Sequence, residues 1–406
     1  MKLSSKLNLF LLSSLSLTIF ACSSGSTAIT SRNLNTTATD IPSYQFVIDA
    51  GSSGSRIYVY SKSKFESQII VTDLYEQKTN NPLASFSVDP SKAGTSIMPL
   101  IKGASQYLKG VDSTVDLEFV PISVLGTAGM RLIPESQQSQ IYANVAESIT
   151  NAGLMAGQTK TITGQDEGVY SWLDVNYLQN NLFSNHETNG VFEVGGASAQ
   201  VAFATTELNS NKSNIKTITL NGRSYKIFSL SFLGLGQDYA RGMINSNLDN
   251  NSKCYPQGYS YSGINFPYFD NSLIINGDFN YYQCMDNYSF VVNHFPEINI
   301  VNQISGFDSQ QFIGIGSVYF ALNFWEIEQY PELLTSKIQT TCYQDYEQMQ
   351  SQYPKAYNLQ NQCANAVLIN DMLVNNLKFA PGQLHAVPSI NGTNLSYTLG
   401  FALLNS

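Results

Sequence analysis

Apolar and polar positions alternate in two short hairpin patterns that resemble each other. Residues 45–49 and 56–60 are β-rich runs on either side of a Gly/Ser turn. The same arrangement returns at 191–194 and 200–204, about 145 residues later, which is the scale of one domain. This weak internal repeat predicts two similar α/β halves, each contributing one turn to a shared cleft.

The pattern between the hairpins predicts one buried strand and three helices. The strand is 117–125, and the helices are 96–109, 134–152 and 166 to about 182. Strands mixed with helices of this length indicate an α/β fold.

The N-terminus has the pattern of an export signal. Lys2 and Lys6 precede an apolar stretch, 7–21, which is short for a membrane span but suits a secretory signal. The stretch ends in I-F-A-C and resembles a bacterial lipobox, which predicts a signal peptide over 1–22 with Cys22 as the lipid-bearing residue. Ordinary cleavage nearby is the alternative. Residues 23–43 are expected to be a polar tether, and no other stretch is apolar enough to cross a membrane.

Composition narrows the classes of function. The chain has 406 residues, and its 43% apolar content excludes a disordered chain. A net charge of −9 argues against a face for nucleic acid or another polyanion. The three histidines lie far apart and outside any ligand spacing, which excludes a His-rich metal centre.

The cysteine count suggests two disulfides. No C-x-x-C pair occurs, and four cysteines remain once Cys22 is assigned to the lipid. In an exported protein an even number favours disulfides over free buried thiols. Three pairings are possible, and we favour the sequential one, Cys254–Cys284 with Cys342–Cys363.

The two Gly/Ser turns are suited to binding phosphate. Turns without bulky side chains let backbone N–H groups converge on an anion, and serine hydroxyls add donors. Asp49 and Glu193, near the strand ends, would repel a bare phosphate, so the pattern predicts Mg²⁺ or Ca²⁺ between them. No G-x-x-x-x-G-K-[ST] loop and no G-x-S-x-G elbow occurs.

Four segments then carry a resemblance to a known family. They are DAGSSGSR (49–56), TAGMR (127–131), GQDEGVYSWLDVNYL (164–178) and EVGGASAQVAF (193–203). In order and spacing the chain resembles the nucleoside triphosphate diphosphohydrolases, or ecto-apyrases, of the actin/Hsp70/sugar-kinase superfamily. The resemblance continues through 231–243, 316–325 and 397–405.

The resemblance implies a fold of two RNase H-like (actin-like) domains with a central interdomain cleft. Domain I would comprise 44–163 and 393–406, and domain II would comprise 164–392.

The resemblance also implies roles for individual residues. Glu167 matches the catalytic base, and Ser198 and Gln200 match residues that orient the attacking water. The metal's water shell would be held by Asp49, Thr127 and Glu193. The phosphate loops would consist of Ser52, Ser53, Gly54, Ser55, Arg56, Gly195, Gly196, Ala197 and Ser198.

Structural roles remain open for several of these residues. Glu167 could be a helix N-terminal carboxylate stabilised by the helix dipole, and its neighbour Asp166 is the expected bystander. Arg56 could be a surface strand residue, whereas Arg131 is expected to brace the metal-side loop. Trp172 is expected to pack in the core.

The chain departs from the family pattern in three places. Gly54 stands where many members have histidine, which leaves one side-chain contact to phosphate missing. Phe320 matches one nucleobase platform, but Gln362 occupies the position of the opposing aromatic residue, so a partner such as Tyr357 is an alternative. Tyr397 replaces the usual tryptophan, a change expected to affect packing more than chemistry.

Together these patterns predict an exported, lipid-anchored, monomeric nucleoside tri/diphosphatase that converts metal-bound NTP or NDP to NMP and phosphate. Its site would use Mg²⁺ or Ca²⁺, with no nucleic-acid partner and membrane contact through the lipid only. The alternatives are an exopolyphosphatase-type phosphohydrolase and a non-catalytic surface adhesion lipoprotein. A sugar kinase is disfavoured, because an exported protein would meet little ATP.

Overall fold

The computed structural model describes residues 42–405, apart from short gaps. The gaps are 66–67, 185, 208–212, 248–250, 263–268 and 270–273. The predicted signal peptide, Cys22 and nearly all of the tether lie outside the described residues. Everything described belongs to one compact unit, Ala38–Ser406.

The described residues contain fifteen strands. In chain order they are β1 Ser43–Ala50, β2 Ser55–Phe65, β3 Gln68–Thr79, β4 Pro121–Gly126, β5 Met155–Thr161, β6 Gly190–Val194, β7 Ser198–Ala204, β8 Ile215–Leu220, β9 Arg223–Leu233, β10 Ser260–Ser262, β11 Ile274–Asn276, β12 Phe312–Gly316, β13 Leu384–Ala386, β14 Ser389–Ile390 and β15 Thr393–Asn394.

Two mixed sheets use the same strand plan. The first has the order β3-β2-β1-β4-β5, and the second has the order β13-β12-β6-β7-β9-β8. Each sheet contains an antiparallel hairpin, β1–β2 in the first and β6–β7 in the second. The first strand of each hairpin also pairs with a parallel strand, β1 with β4 and β6 with β12. The predicted α/β class and the predicted repeat are both present. The exact division at 163/164 and 392/393 stays a prediction.

Eleven α-helices lie within the described residues. They are α1 Ala93–Val111, α2 Ala128–Arg131, α3 Glu135–Asn151, α4 Gly164–Leu178, α5 Gln237–Asn247, α6 Tyr281–Val292, α7 Ser317–Asn323, α8 Leu334–Thr341, α9 Tyr346–Gln352, α10 Leu359–Asn370 and α11 Tyr397–Leu404. A π-helical turn, Asp371–Asn376, continues α10. None of these helices is long and apolar enough to span a bilayer.

Both hairpins and all three predicted helices are present, with ends shifted by a few residues. The strand predicted over 117–125 was wrong in its first part, because Leu117–Phe119 forms a 3₁₀ turn and the strand starts at Pro121. The carboxylate of Asp116 accepts from the backbone N–H of Glu118 and stabilises that turn. Strand β5 was missed because its largely polar sequence lacks an apolar run.

Helices α4 and α11 join the two sheets. Helix α4 packs on β6, β7 and β9 of the second sheet, α11 packs on β1, β2 and β3 of the first, and the two helices pack on each other. Their close approach requires Gly400, where a Cβ atom would lie 2.0 Å from the carbonyl oxygen of Tyr170. The buried Asp174 accepts a hydrogen bond from the backbone N–H of Ser396 at 2.8 Å. Trp172 of α4 is fully buried, as predicted.

Two disulfides are present in the second half of the chain. Cys254 is bonded to Cys284, and Cys342 is bonded to Cys363. These are the sequential pairs that the sequence analysis favoured.

Candidate active site

The two Gly/Ser turns face each other. A Cβ atom built on Gly196 of the second turn would lie 2.5 Å from Ser52 Oγ of the first turn. Both turns line one cleft of about 1170 Å³, to which Gly51, Ser53 and Gly195 contribute. The turns therefore lie close together at one cleft, as the internal repeat predicted.

Asp49 and Glu193 occupy equivalent positions next to these turns. In the first hairpin Asp49 pairs with Arg56, and in the second Glu193 pairs with Gln200. Directly paired residues project from the same face of a sheet. Asp49 therefore shares a face with Arg56, and Glu193 shares a face with Gln200. Glu193 accepts a hydrogen bond from the hydroxyl of Ser171 on α4 at 2.7 Å.

Glu167 lies in the first turn of α4, between the two hairpins. The side chain of Thr163 caps this helix by accepting from the backbone N–H of Asp166 at 3.0 Å. Asp166 forms an ion pair with Lys216, and its role as a bystander stays a prediction. Glu167 is 6% exposed, and its environment differs from that of a solvated helix-terminal carboxylate.

Three polar side chains contact Glu167 or one another in a closed network. Arg131 Nη2 donates to Glu167 Oε2 at 2.8 Å and to Ser198 Oγ at 3.0 Å. Gln200 Nε2 donates to Ser198 Oγ at 2.5 Å and lies 3.3 Å from Glu167 Oε2. Arg131 was expected to brace the metal-side loop, but its ion pair with Glu167 was not predicted.

The electrostatics of the site are dominated by three carboxylates. Burial raises the pKa of Asp49 to about 7, although the hydrogen bond from Tyr397 opposes the rise. Burial also raises the pKa of Glu193 to about 8, and the nearby charge of Glu167 adds to the effect. Burial raises the pKa of Glu167 as well, against the lowering effect of Arg131. Arg131 lowers the pKa of Glu167 and Glu193 and Arg56 lowers that of Asp49, but burial outweighs both arginines.

This donor set fits a hard divalent cation held through water. Oxygen ligands suit Mg²⁺ and Ca²⁺, and an added positive charge would relieve the repulsion among the acids. Within the described residues no three His, Cys, Asp or Glu side chains lie close enough to hold a metal directly. Asp49 and Glu193, with Thr127 at the start of α2, are therefore suited to an outer water shell. The backbone N–H of Thr127 donates to the carbonyl of Ala50 at 3.2 Å, which ties it to the first turn.

Gly54 has no room for a side chain. A Cβ atom at this position would lie 2.3 Å from the carbonyl oxygen of Thr79 at the end of β3. The histidine that many family members carry could not fit here without movement of the backbone. Lys78 and Asn80, on either side of Thr79, line the cleft beside Gly54.

The remaining loop residues differ in exposure. Ser53 is exposed towards the cleft, whereas Ser55, Ala197 and Ser198 are buried. Arg56 lines the cleft, but its guanidinium also forms an ion pair with Glu76 at 3.2 Å. Arg56 is therefore shared between the cleft and the strand surface.

The outer end of the cleft contains exposed aromatic rings. Phe320 is 62% exposed and Tyr357 is 84% exposed, and both line the cleft. Gln362, at the position expected for the second aromatic residue, donates through Nε2 to the carbonyl of Tyr357 at 2.9 Å. Gln362 thus supports the loop that carries Tyr357.

Tyr397 is a site residue that the sequence analysis did not assign to the chemistry. Its hydroxyl lies 3.0 Å from Asp49 Oδ1 and 3.0 Å from the carbonyl oxygen of Leu125. The change from tryptophan was expected to affect packing, yet it introduces a hydrogen bond to a carboxylate of the site. No local pattern near Tyr397 could reveal a contact with a residue so distant in the chain.

Comparison with known proteins gives the family. Residues 35–406 match the GDA1/CD39 (nucleoside phosphatase) family. The chain belongs to this family. It is 35% identical over 237 residues to "Probable apyrase 3" of Arabidopsis thaliana, covering 54% of this chain and 48% of that protein. It is 29% identical over 344 residues to the "Golgi apyrase" of Saccharomyces cerevisiae, covering 69% and 54% respectively. The chain thus spans about half the length of these two relatives.

Solved structures agree on the fold. Nucleoside triphosphate hydrolases from Neospora caninum superpose with a TM-score of 0.64 at 15% identity, over 89% of this chain and 92% of that one. A Ppx/GppA protein from Aquifex aeolicus superposes with a TM-score of 0.51 at 10% identity, over 89% and 97%. At such identities the likeness supports the predicted fold of two actin-like domains and nothing further.

Substitution of Gly54 tests how tightly the first turn is packed. In Gly54→Ala the new methyl group must displace the carbonyl of Thr79, so we expect a loss of about 1–3 kcal/mol in the free energy of unfolding. Gly110→Ala is the control, because Gly110 is an exposed helical position with nothing within 4 Å. Chemical denaturation should show the control unchanged or slightly more stable. Equal stability of both variants would contradict the crowding at Gly54.

Proposed function

We propose that this protein is a divalent-cation-dependent nucleoside tri/diphosphatase that removes terminal phosphates from NTP and NDP, leaving NMP. The observation that carries the proposal is the contact of Glu167 with Arg131 and Gln200 beside two facing Gly/Ser turns. The names of related proteins, which include apyrases and a nucleoside-triphosphatase of Caenorhabditis elegans, support it.

Glu167 is the group suited to activate water. Its ionised carboxylate accepts a proton from a water molecule as the water oxygen bonds to the terminal phosphorus. The bond from that phosphorus to its bridging oxygen breaks, and the shorter nucleotide leaves with the electron pair. Arg131 favours the ionised form of the base through its contact at 2.8 Å.

Ser198 and Gln200 are suited to orient that water. Both lie within hydrogen-bond reach of one another, and Gln200 Nε2 also reaches Glu167. A water molecule held by these groups beside the base would approach the phosphorus from one direction, which lowers the entropic cost of the reaction.

The turns are suited to bind the phosphates, and the carboxylates are suited to bind the cation. Backbone N–H groups of the two turns hold the phosphate oxygens, with serine hydroxyls as further donors. Asp49, Thr127 and Glu193 would hold a Mg²⁺ or Ca²⁺ ion through water, and that ion would neutralise charge on the phosphates. Arg56, Lys78 and Lys355 add positive charge along the cleft.

The nucleobase would lie at the outer end of the cleft. Phe320 and Tyr357 are exposed rings from two separate segments, α7 and the loop after α9. Every base has a π-face, so stacking on such rings tolerates different bases. Tyr357 is our candidate for the second platform in place of Gln362.

The protein would act outside the cytoplasm, as an anchored monomer. Two disulfides suit an oxidising compartment, and the N-terminal sequence has the pattern of a lipoprotein signal ending at Cys22. A single lipid-modified cysteine would then be its contact with the membrane.

Replacement of the base tests the mechanism. Glu167→Gln keeps the shape of the side chain but cannot accept the proton, so phosphate release from ATP should fall by about 10²–10⁴-fold. Asp166→Asn is the matched control, since it alters the neighbouring carboxylate and should leave the rate within about threefold. A Glu167→Gln rate near the wild-type rate would refute the assignment.

The same assay separates the alternatives. Wild-type protein should lose activity in EDTA and regain it with Mg²⁺ or Ca²⁺. Faster hydrolysis of polyphosphate than of ATP would favour the exopolyphosphatase, and no hydrolysis of either would favour the adhesion lipoprotein.

Removal of the stacking rings tests the nucleobase site. Phe320→Ala and Tyr357→Ala should each raise KM for ATP by about 5–150-fold, the equivalent of ~1–3 kcal/mol per stacked base. Tyr330→Ala is a suitable control, because it removes another exposed tyrosine ring outside the cleft lining. KM values for ATP, GTP and UTP should stay within about tenfold of one another, and a hundredfold preference would contradict stacking.

Detergent phase partitioning tests the anchor. Wild-type protein from membranes should enter the detergent phase, because an acyl chain adds about 0.8 kcal/mol for each buried CH₂ group. Cys22→Ser should remain in the aqueous phase. Equal partitioning of the two proteins would exclude lipidation at Cys22.

A further inference from the structure

The hydroxyl of Tyr397 contacts a carboxylate at the edge of the cleft. Tyr397 begins α11, close to the C-terminus, and is 5% exposed. Its hydroxyl lies 3.0 Å from Asp49 Oδ1. Within the described part of the chain no other side chain forms a hydrogen bond with Asp49. The last helix therefore makes the polar contact that fixes this carboxylate.

We propose that Tyr397 is a positioning residue, which holds one oxygen of Asp49 so that the other faces the cation's water shell. This inference rests on the proposed function, in which Asp49 helps to hold the cation. It adds a residue whose hydroxyl acts only through Asp49 and touches neither substrate nor cation.

The chemistry of a phenol suits this task. A neutral O–H donor fixes the orientation of a carboxylate without cancelling its charge, whereas an arginine or lysine would compete with the cation for it. The carbonyl of Leu125, also 3.0 Å from the hydroxyl, is a second acceptor for the same hydrogen. Because Leu125 belongs to β4, next to β1 in the sheet, the hydroxyl lies across the ends of two neighbouring strands.

The position of the tyrosine ring is itself well determined. Ser396 caps α11 by accepting from the backbone N–H of Thr398. The hydroxyl groups of Thr398 and Tyr60 form a buried hydrogen bond at 2.7 Å, which ties α11 to β2. Residues on both sides of the ring are therefore fixed, and the hydroxyl has little freedom to leave Asp49.

The experiment compares Tyr397, which belongs to α11, with Tyr60, which contacts the same helix from β2. Tyr397→Phe removes the hydrogen bonds to Asp49 and the Leu125 carbonyl, and Tyr60→Phe removes a buried hydrogen bond between α11 and β2. Both substitutions keep the aromatic ring, so thermal unfolding should show two folded proteins with similar small losses of Tm. Any general loosening of α11 should be common to both variants.

The main readout is binding of Mn²⁺ alone to the full chain, followed by the electron paramagnetic resonance signal of free Mn²⁺. We expect Tyr397→Phe to raise the dissociation constant by about tenfold or more, the usual effect of losing a group that orients a ligand. Tyr60→Phe should stay within about threefold of wild type. In ATP hydrolysis, the half-saturating Mg²⁺ concentration should rise in Tyr397→Phe, with KM for the nucleotide unchanged at saturating Mg²⁺.

The other outcomes are separable. If Tyr397→Phe binds Mn²⁺ like wild type, or if both variants weaken equally, the positioning role is wrong while the proposed function stands. If wild-type protein binds no Mn²⁺ and hydrolyses ATP in EDTA, both the positioning role and the cation are wrong. If wild-type protein binds no Mn²⁺ and does not hydrolyse ATP with Mg²⁺, the proposed function fails as well.

Discussion

Repulsion among three acids is the constraint on which the site depends. Burial raises the pKa of Asp49, Glu167 and Glu193, and the charge of Glu167 adds to the rise at the other two. Arg131 is the basic side chain that contacts Glu167 directly. Keeping such charges away from bulk water is costly unless they are paired or bind a cation. Two of the acids are held by neutral donors instead, Ser171 and Tyr397, which fix their geometry and preserve their charge. Three buried carboxylates are unfavourable by themselves, and a bound cation would offset their charge.

The fold brings these groups together by repeating one plan. Each sheet contributes a hairpin whose turn is free of large side chains, and α4 with α11 sets the spacing between the sheets. Close approach is possible because glycine occupies the crowded positions: Gly400 lies against the backbone of Tyr170, and Gly196 lies against Ser52. A methyl group at Gly400 would meet backbone and force α4 and α11 apart, whereas one at Gly196 would require the Ser52 side chain to move. Glycine is thus needed at these positions because neighbouring segments lie so close, and not only because of its backbone freedom.

The network around Glu167 and the aromatic end of the cleft differ in character, and the difference has a physical basis. The network around Glu167 is buried, and there a low dielectric strengthens each polar contact. Phe320 and Tyr357 are exposed, so a base stacked on them would be recognised through contact area, which tolerates variation. In the proposed function, the chemistry that needs exact placement would lie within the packed region. Binding that tolerates variation would lie on a surface loop and a short helix.

Local patterns in the sequence predicted the features that local residues control. The hairpins with their Gly/Ser turns, the helices α1, α3 and α4 and the sequential cysteine pairs all follow from alternation, turn composition or spacing over a few tens of residues. Motifs also singled out Glu167, Ser198 and Gln200, which the structure joins in one network. The polar strand β5 was missed because parallel pairing with β4, rather than its own composition, makes it a strand.

Contacts between distant segments were decided only by the tertiary structure. The ion pair of Arg131 with Glu167, the carbonyl of Thr79 over Gly54 and the hydroxyl of Tyr397 on Asp49 join segments that share no periodic pattern. Each depends on how strands and helices pack in three dimensions, and an ångström of displacement would abolish it. Sequence determined which chemical groups the protein has and on which elements they lie. Packing determined which of them meet, because hydrogen bonds and steric contacts act over distances far shorter than the elements themselves.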